Sequence, residues 1–337
     1  MSMKRLAFRV LDIISIPFVL VLAPFAALLA RSANRTPWSR AILDKFQVAF
    51  VRHHYYAPVV FPEDLRADLN DERRLPGLDL NEKGQLALLE TFHYRDELLA
   101  IPLVKTPAEP TKFGYHNATF ETGDAEFLYN MIRHFNPRRI VEVGSGNSTL
   151  IARIAVDKNS SEDPEYRCDQ ICIEPFEQPW LESIGVKIVR QQVERCPDEM
   201  FTQLQAGDIL FIDSSHVIRP QGDVVHEFLY LLGLIQPGVL IHVHDVFTPR
   251  DYPALWVLGE RWMRNEQYLL EAFLSFNPAF EIIGAVNWLS HHHRDKLQDA
   301  CPLLVREPER EPGSFWFRRY SALATLSPVP VSLTNNC

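Results

Sequence analysis

Four groups of side chains in this sequence are of types that can bind or react, and each follows a short apolar run. The first is R-I-V-E-V-G-S-G-N-S-T-L-I, Arg139 to Ile151. Ile140–Val143 reads as a strand, Gly144 and Gly146 as a tight turn, and Asn147, Ser148 and Thr149 as the start of a helix. Glycine is needed there because a Cβ would block close backbone approach to a ligand or an unusual backbone angle. A helix start also offers free N–H groups to a ribose, carboxylate or phosphate. The second group is Glu174, closing Q-I-C-I-E. A carboxylate at the end of a second strand can accept hydrogen bonds from two ribose hydroxyls. It lies 28 positions after Gly146, more than the usual ~20, and a polar loop over 157–169 takes up the excess. The third is Asp213-Ser214-Ser215-His216 after D-I-L-F-I-D, and the fourth is His242-Val243-His244-Asp245 after G-V-L-I-H-V. An acid after strand four can hold an amino group or a divalent cation, and His216 beside it can move a proton. Asp213, His244 and Asp245 together offer mixed nitrogen and oxygen ligands to a hard or borderline metal. Asp213 and Asp245 can equally cap the helices that follow, with the histidines bonded within the sheet edge.

These residues need a scaffold that presents strand ends side by side. The pattern from 139 onward supplies one. Strands are expected at Ile140–Val143, Gln170–Glu174, Val186–Val189, Asp208–Asp213, Gly238–Val243, Phe280–Val286 and Ser314–Arg318. Helices are expected at Asn147–Ala155, Val224–Ile235 and Ala254–Phe276. Alternation with near-continuous apolar strands implies an α/β fold, a doubly wound and mostly parallel sheet covered on both faces. In such sheets ligands bind at the carboxyl ends of the strands, where all four groups fall. No internal repeat or low-complexity segment is present.

The chain has 337 residues and a formal net charge of −9, unevenly spread. Residues 1–40 hold Lys4, Arg5, Arg9, Arg31, Arg35 and Arg40 against Asp12, so the rest carries −14. An acidic body argues against nucleic acid as a partner, and a basic, apolar start argues for a membrane surface. Residues 6–30 are strongly apolar, and Ile13–Ala30 has no charge over eighteen residues, the lower limit for crossing a bilayer. Pro17 and Pro24 are expected to break or kink a helix there, which leaves a re-entrant anchor open beside a spanning one. A cleaved signal peptide is the rival; the apolar run is longer than a usual signal core. The aromatic cluster His53, His54, Tyr55 and Tyr56 suits an interfacial belt or plain packing. Five cysteines, Cys168, Cys172, Cys196, Cys301 and Cys337, form no Cys-x-x-Cys pair and fit free thiols in a reducing compartment. The expected organisation is a hydrophobic anchor over 1–35, a linker and helical preface over 36–112, the sheet domain over 113–322 and a tail over 323–337.

The segments I-V-E-V-G-S-G-N-S-T, C-I-E-P, F-I-D-S-S-H, P-G-V-L-I-H-V-H-D and G-S-F-W-F-R together resemble class I S-adenosylmethionine-dependent methyltransferases. Within these the chain looks most like bacterial small-molecule O-methyltransferases of the cephalosporin-hydroxylase-like and macrocin-type groups, over about residues 113–320. The resemblance implies a Rossmann-like sheet of seven strands with the last one antiparallel between strands five and six. It implies S-adenosyl-L-methionine as cofactor, with Glu142, Gly144 and Gly146 lining its methionine part and Ser145 and Asn147 close by. Glu174 would bind the ribose hydroxyls, and Asp213 would lie near the methionine amino group or a cation such as Mg²⁺. Metal-dependent members carry an acid after strand four and an acid pair after strand five. Here that pair reads His244-Asp245, a departure from the pattern. No lysine stands near the motifs in sequence, so His216 is the expected base, with Asp213 and His244 beside it. Tyr115, His116, Tyr252 and Trp256 are candidates for the acceptor pocket or for packing. Arg261, Trp262 and Glu266 read as helix-face and core residues, and the His291–His293 triplet as a solvated loop.

The leading expectation is O-methylation of a sugar, glycolipid or specialised metabolite, small or lipid-linked, at the cytoplasmic face of a membrane. A nicotinamide-dependent oxidoreductase is the second, against which Thr149 stands where the third glycine of a dinucleotide turn would be. A non-catalytic, membrane-associated cofactor-binding protein is the third.

Overall fold

The apolar runs pair into one sheet. The computed structural model describes residues 3–32, 35–176 and 178–320. The expected tail 323–337, with Cys337, and the last two positions of the expected 113–322 domain lie outside them. Two compact units are present: 1–68 with 254–263, and 69–253 with the chain from 264 onward.

The second unit holds seven strands: β1 (Arg139–Val143), β2 (Asp169–Ile173), β3 (Lys187–Val189), β4 (Ile209–Ile212), β5 (Leu240–Val243), β6 (Phe280–Ala285) and β7 (Phe315–Arg319). Their order is β3-β2-β1-β4-β5-β7-β6. β7 runs antiparallel to both β5 and β6, and the other neighbouring pairs are parallel. This is the α/β, doubly wound, Rossmann-like sheet read from the sequence, with its reversed strand in the expected place. β4 and β5 are buried along their whole length, as I-L-F-I and L-I-H-V demand. Each fully buried aliphatic side chain in them contributes about 1.5–3 kcal/mol.

Register brings the strand ends level. Val143 pairs with Ile173 and Ile212, and Ile212 with Val243. Hydrogen bonds continue one residue further: Gly144 N donates to Ile173 O, Asp213 N to Val143 O and His244 N to Ile212 O. Gly144, Asp213 and His244 therefore leave the sheet along one edge.

The helices differ from expectation in informative places. The helix expected to end at Ala155 runs Asn147–Glu162, taking in part of the expected polar loop. Its second half docks on the helix Asp124–Phe135, where Arg133 donates to Asn159 and Glu162 and Asn159 donates to Ile132 O. The long helix expected over Ala254–Phe276 is broken. A π turn occupies Leu255–Gly259, Arg261 has φ +55, and a new helix starts at Glu266 and ends at Leu274. Continuous apolar periodicity hides this break in the sequence. Helices also replace the expected solvated loop at His291–His293. These histidines close the helix Val286–His292, and each faces its own carboxylate: Glu311, Glu72 and Glu82 at 2.8, 2.6 and 3.0 Å. Residues 69–112, expected within the linker and preface, pack in the sheet-bearing unit. Gln85, in the helix Glu82–Leu89, is fully buried and bonds Leu80 O and Ala285 N, the latter at the end of β6.

The first unit holds the helix Met3–Arg31, about 43 Å long at 1.5 Å per residue. Pro17 and Pro24 lie inside it and do not end it, so of the expected break or kink the break does not occur. From Ala7 to Arg31 it is long and apolar enough to cross a bilayer, and none of that stretch is buried. A second helix, Pro37–Lys45, follows, with Trp38 85% exposed. In the aromatic cluster His53 pairs with Asp64 and touches Phe61, while Tyr55 and Tyr56 are exposed.

Candidate functional site

The glycine turn is set by its neighbour strand. Gly144 has φ +76, and a Cβ there would stand 1.9 Å from the carbonyl oxygen of Asp213, so no side chain fits. A Cβ on Gly146 would meet nothing within 4 Å, because the space above it is open. Thr149, in place of a third glycine, accepts from Gly146 N at 3.0 Å and so closes the first turn of the helix. Glu174 leaves β2 beside the turn. Its carboxylate accepts from Ser145 N at 3.2 Å and Phe176 N at 3.1 Å. Asn147 donates to Thr119 Oγ1 at 2.7 Å.

Glu142 stands elsewhere than expected. It is 2% exposed and lies under the turn, off the cleft lining, where Ser148 donates to it at 2.6 Å and the Cys172 thiol at 3.6 Å. Burial pushes its carboxyl up to about 7. It braces the helix start against β1 rather than lining a ligand.

Two clefts, of about 420 and 250 Å³, meet along Gly144, Glu174 and Asp213. The larger runs toward Gln192, Ser214 and Asp223, and the smaller toward Lys105, Asn147 and Trp180. The expected glycine-turn, ribose and amino-group residues thus share one hollow, apart from Glu142.

The β4–β5 side gathers charge. His216 Nε2 lies 3.2 Å from Asp213 and 3.5 Å from Asp245, and its Nδ1 lies 2.8 Å from Glu266. Burial alone would lower the imidazole's pKa, but Asp213 and Glu266 outweigh it and hold it at about 10. Asp213 shows the reciprocal effect: burial would raise it, and His244 and His216 bring it down to about 2. His216 has φ +60 and Asp245 φ +58, left-handed conformations uncommon for residues other than glycine, which the surrounding packing holds here. The helix start at Asn265 does so, since Asn265 N and Glu266 N both donate to His216 O and Asn265 Oδ1 accepts from Ile218 N. Arg264 Nη1 donates to Asp245 Oδ2.

The expected metal set Asp213, His244 and Asp245 is therefore rearranged. The donor atoms of Asp213, His216 and Asp245 lie within 4.8 Å of one another, and His244 stays outside that group. Strand alternation explains it: His244 lies with His242 on one side, against Phe120, its Nε2 3.5 Å from Asp245 Oδ1. The Asp245 and Asp213 carboxylates raise the His244 imidazole against its burial. His242 is a core residue, stacked 4.0 Å from Phe211 and bonded to Ser314, and burial drives its pKa down. Two carboxylates and an imidazole whose other nitrogen is fixed by Glu266 form a donor set that fits a divalent cation. The Arg264 guanidinium is its competitor for Asp245.

His216 was the expected base. Held near 10 by three carboxylates, its imidazole is protonated at neutral pH in this arrangement and would serve as base or metal ligand only after giving up that proton. The aromatic candidates divide as well. Tyr115 and Tyr252 are buried packing residues bonded to Leu98 O and Gln267 N. His116 faces Glu307 at 2.7 Å, and Trp256 lies in the other unit against Trp262.

Three site residues escaped the sequence reading. Glu266 was taken for a core or helix-face residue, yet it is 1% exposed and fixes His216. Its signal was an acid in the first turn of the helix E-Q-Y-L-L-E-A-F-L. Glu227 sits in a π turn, Glu227–Leu231, and accepts from Ser214 at 2.9 Å; burial and the neighbouring Glu266 push its carboxyl up. Lys105 reaches the smaller cleft from a proline-flanked segment.

Residues 141–246 match the family model for a methyltransferase domain. Over 136 residues the chain is 32% identical to an uncharacterized protein of Archaeoglobus fulgidus, covering 38% of this chain and 59% of that one. The chain thus spans under two thirds of that relative's length. Among solved structures, an O-methyltransferase from Bacillus cereus in complex with SAH aligns at 12% identity, over 69% of this chain and 90% of that one, with a TM-score of 0.33. A candidate methyltransferase from Thermobifida fusca aligns at 14% identity, over 73% and 96%, with a TM-score of 0.36.

Proposed function

We propose that the sheet-bearing unit transfers a methyl group from S-adenosyl-L-methionine to a hydroxyl oxygen of a small or lipid-linked acceptor. The observation that carries this reading is the meeting of Gly144, Glu174 and Asp213 on one cleft inside the segment that matches a methyltransferase domain. Glu174 would take the ribose hydroxyls, the open space over Gly146 the thioether side, and Asp213 the amino group. Thr149 in the turn favours this cofactor over a nicotinamide dinucleotide, whose turn asks for glycine there.

The sulfonium, when bound, supplies an already activated methyl group. The chain must hold the acceptor oxygen in line with it and take up a proton. The β4–β5 cluster stands next to the cleft through Asp213, and its carboxylates give the acceptor's proton a place to go. A divalent cation would be held by Asp213, Asp245 and Nε2 of His216, and would supply positive charge beside a developing alkoxide.

The exposed apolar helix Met3–Arg31 supports attachment to a membrane; basic residues stand at both of its ends, and the sheet unit is placed on the cytoplasmic face because its cofactor is cytosolic. Lipid-linked acceptors would then be within reach. Partition of the chain into the membrane fraction after carbonate washing is the expected outcome; release into the wash would end this part of the reading.

Calorimetric titration of S-adenosyl-L-methionine into the detergent-purified chain tests the activity. Saturable binding is expected, weakened about 10- to 100-fold in Glu174→Ala, the loss typical of hydrogen bonds to a charged group. Absence of binding would refute the proposal.

A further inference from the structure

A cation stands in a cleft otherwise edged by acids. Lys105, Glu174 and Asp213 all line the smaller cleft. The Lys105 ammonium donates to Asn147 Oδ1 at 2.6 Å and lies 5.4 Å from the centre of the Trp180 ring. Among the described residues no carboxylate forms an ion pair with it. It is partly buried, and that burial lowers its pKa, the sign of a charge without full compensation.

Its position is built. Val104 bridges His116, His116 N donates to Leu103 O at 2.6 Å, and Tyr115 N donates to Pro102 O. Gly114 faces this segment, and a Cβ there would stand 2.5 Å from Lys105 N. The close pairing of the two segments therefore depends on glycine and delivers Lys105 to the turn. Ser145 also lines this cleft, but its hydroxyl is buried and faces the Cys172 thiol beneath the turn.

These observations bear on how a zwitterion would lie here, and they rest on the function proposed above. The amino-acid end of the cofactor carries an ammonium and a carboxylate. Asp213 and Glu174 would attract the first and repel the second. Lys105 provides the missing opposite charge within the same cleft. We infer that Lys105 is the anchor for the α-carboxylate of S-adenosyl-L-methionine.

The test compares S-adenosyl-L-methionine with its decarboxylated analogue, by calorimetry on the full chain and on Lys105→Met and Lys105→Arg. Wild type should prefer the carboxylated ligand by about 10- to 100-fold. Lys105→Met should lose that preference while binding the decarboxylated analogue as wild type does, and Lys105→Arg should keep most of it. An undiminished preference in Lys105→Met would overturn the inference alone. So would an equal loss for both ligands, which marks a structural role. Failure of wild type to bind either ligand would instead remove the proposed function, and this inference with it.

Discussion

The two sides of the strand-end edge are built from different kinds of information. On the β1–β2 side, the turn and Glu174 follow directly on their strands: Thr149 accepts from Gly146 N, and Glu174 from Phe176 N and, across the strand pair, Ser145 N. On the β4–β5 side, Asp213 and Asp245 are equally local, but Asp213 is held low by His244 and by His216, which Glu266 fixes from 50 positions away. Two acids show the consequence. Glu142 meets a hydroxyl and a thiol, and burial lifts it to about 7. Asp213 meets imidazoles, which bring it to about 2 against its own burial. One acid lies inside β1 and the other just beyond β4, and their neighbours decide the sign.

If the β4–β5 side does the chemistry and the β1–β2 side the binding, variants should separate along that line. The largest effect is expected for Asp213→Ala, with methyl transfer down about 10²- to 10⁴-fold at saturating cofactor, the range for loss of a proton-handling group. Activity within a few-fold of wild type would move the chemistry elsewhere. Glu266→Gln sharpens the comparison. It should weaken Mn²⁺ binding, read by paramagnetic resonance, about 10- to 100-fold, as loss of a group orienting a metal-bound histidine does. Unchanged Mn²⁺ affinity would make Glu266 a purely structural partner of His216. Gly144→Ala attacks the binding side through the fold. A Cβ on the Asp213 carbonyl at positive φ should cost about 2–4 kcal/mol and lower the melting temperature. A neutral result would contradict the tight packing of the turn.

The smallest effect is on pH dependence. The Glu142 carboxyl holds its proton to about pH 7 when folded, against 4.5 as the ordinary value. Between those values the folded state binds more protons, so this group's share of stability falls as pH rises from about 4.5 to 7. Glu142→Gln keeps an acceptor for Ser148 and should flatten that decline by up to about 3 kcal/mol, seen in denaturant melts across the range. A slope equal to wild type would show that Glu142 is ionised in the fold.

What was legible in the sequence follows the same division. Apolar runs buried on both sides are visible in order, so the seven strands could be read within a residue or two, while the reversal of β7 came only with the resemblance to class I methyltransferases. The turn, Glu174, Asp213 and Asp245 could be read because each lies next to its strand. Lys105 and Glu266 could not, because their roles arise where the Leu103–Lys105 segment meets His116 and where a helix breaks over 260–265. That break is invisible in W-V-L-G-E-R-W-M, whose apolar spacing suits a continuous helix. Tyr115 and Tyr252 failed as pocket residues for the opposite reason: an aromatic beside a motif is also what a core needs.

A crystal structure of the chain with S-adenosylhomocysteine tests the central claim most directly. The account predicts ribose hydroxyls on Glu174, the amino group at Asp213 and the thioether over Gly146. Ligand bound away from the Gly144–Glu174–Asp213 cleft, or no ligand at saturating concentration, would contradict it.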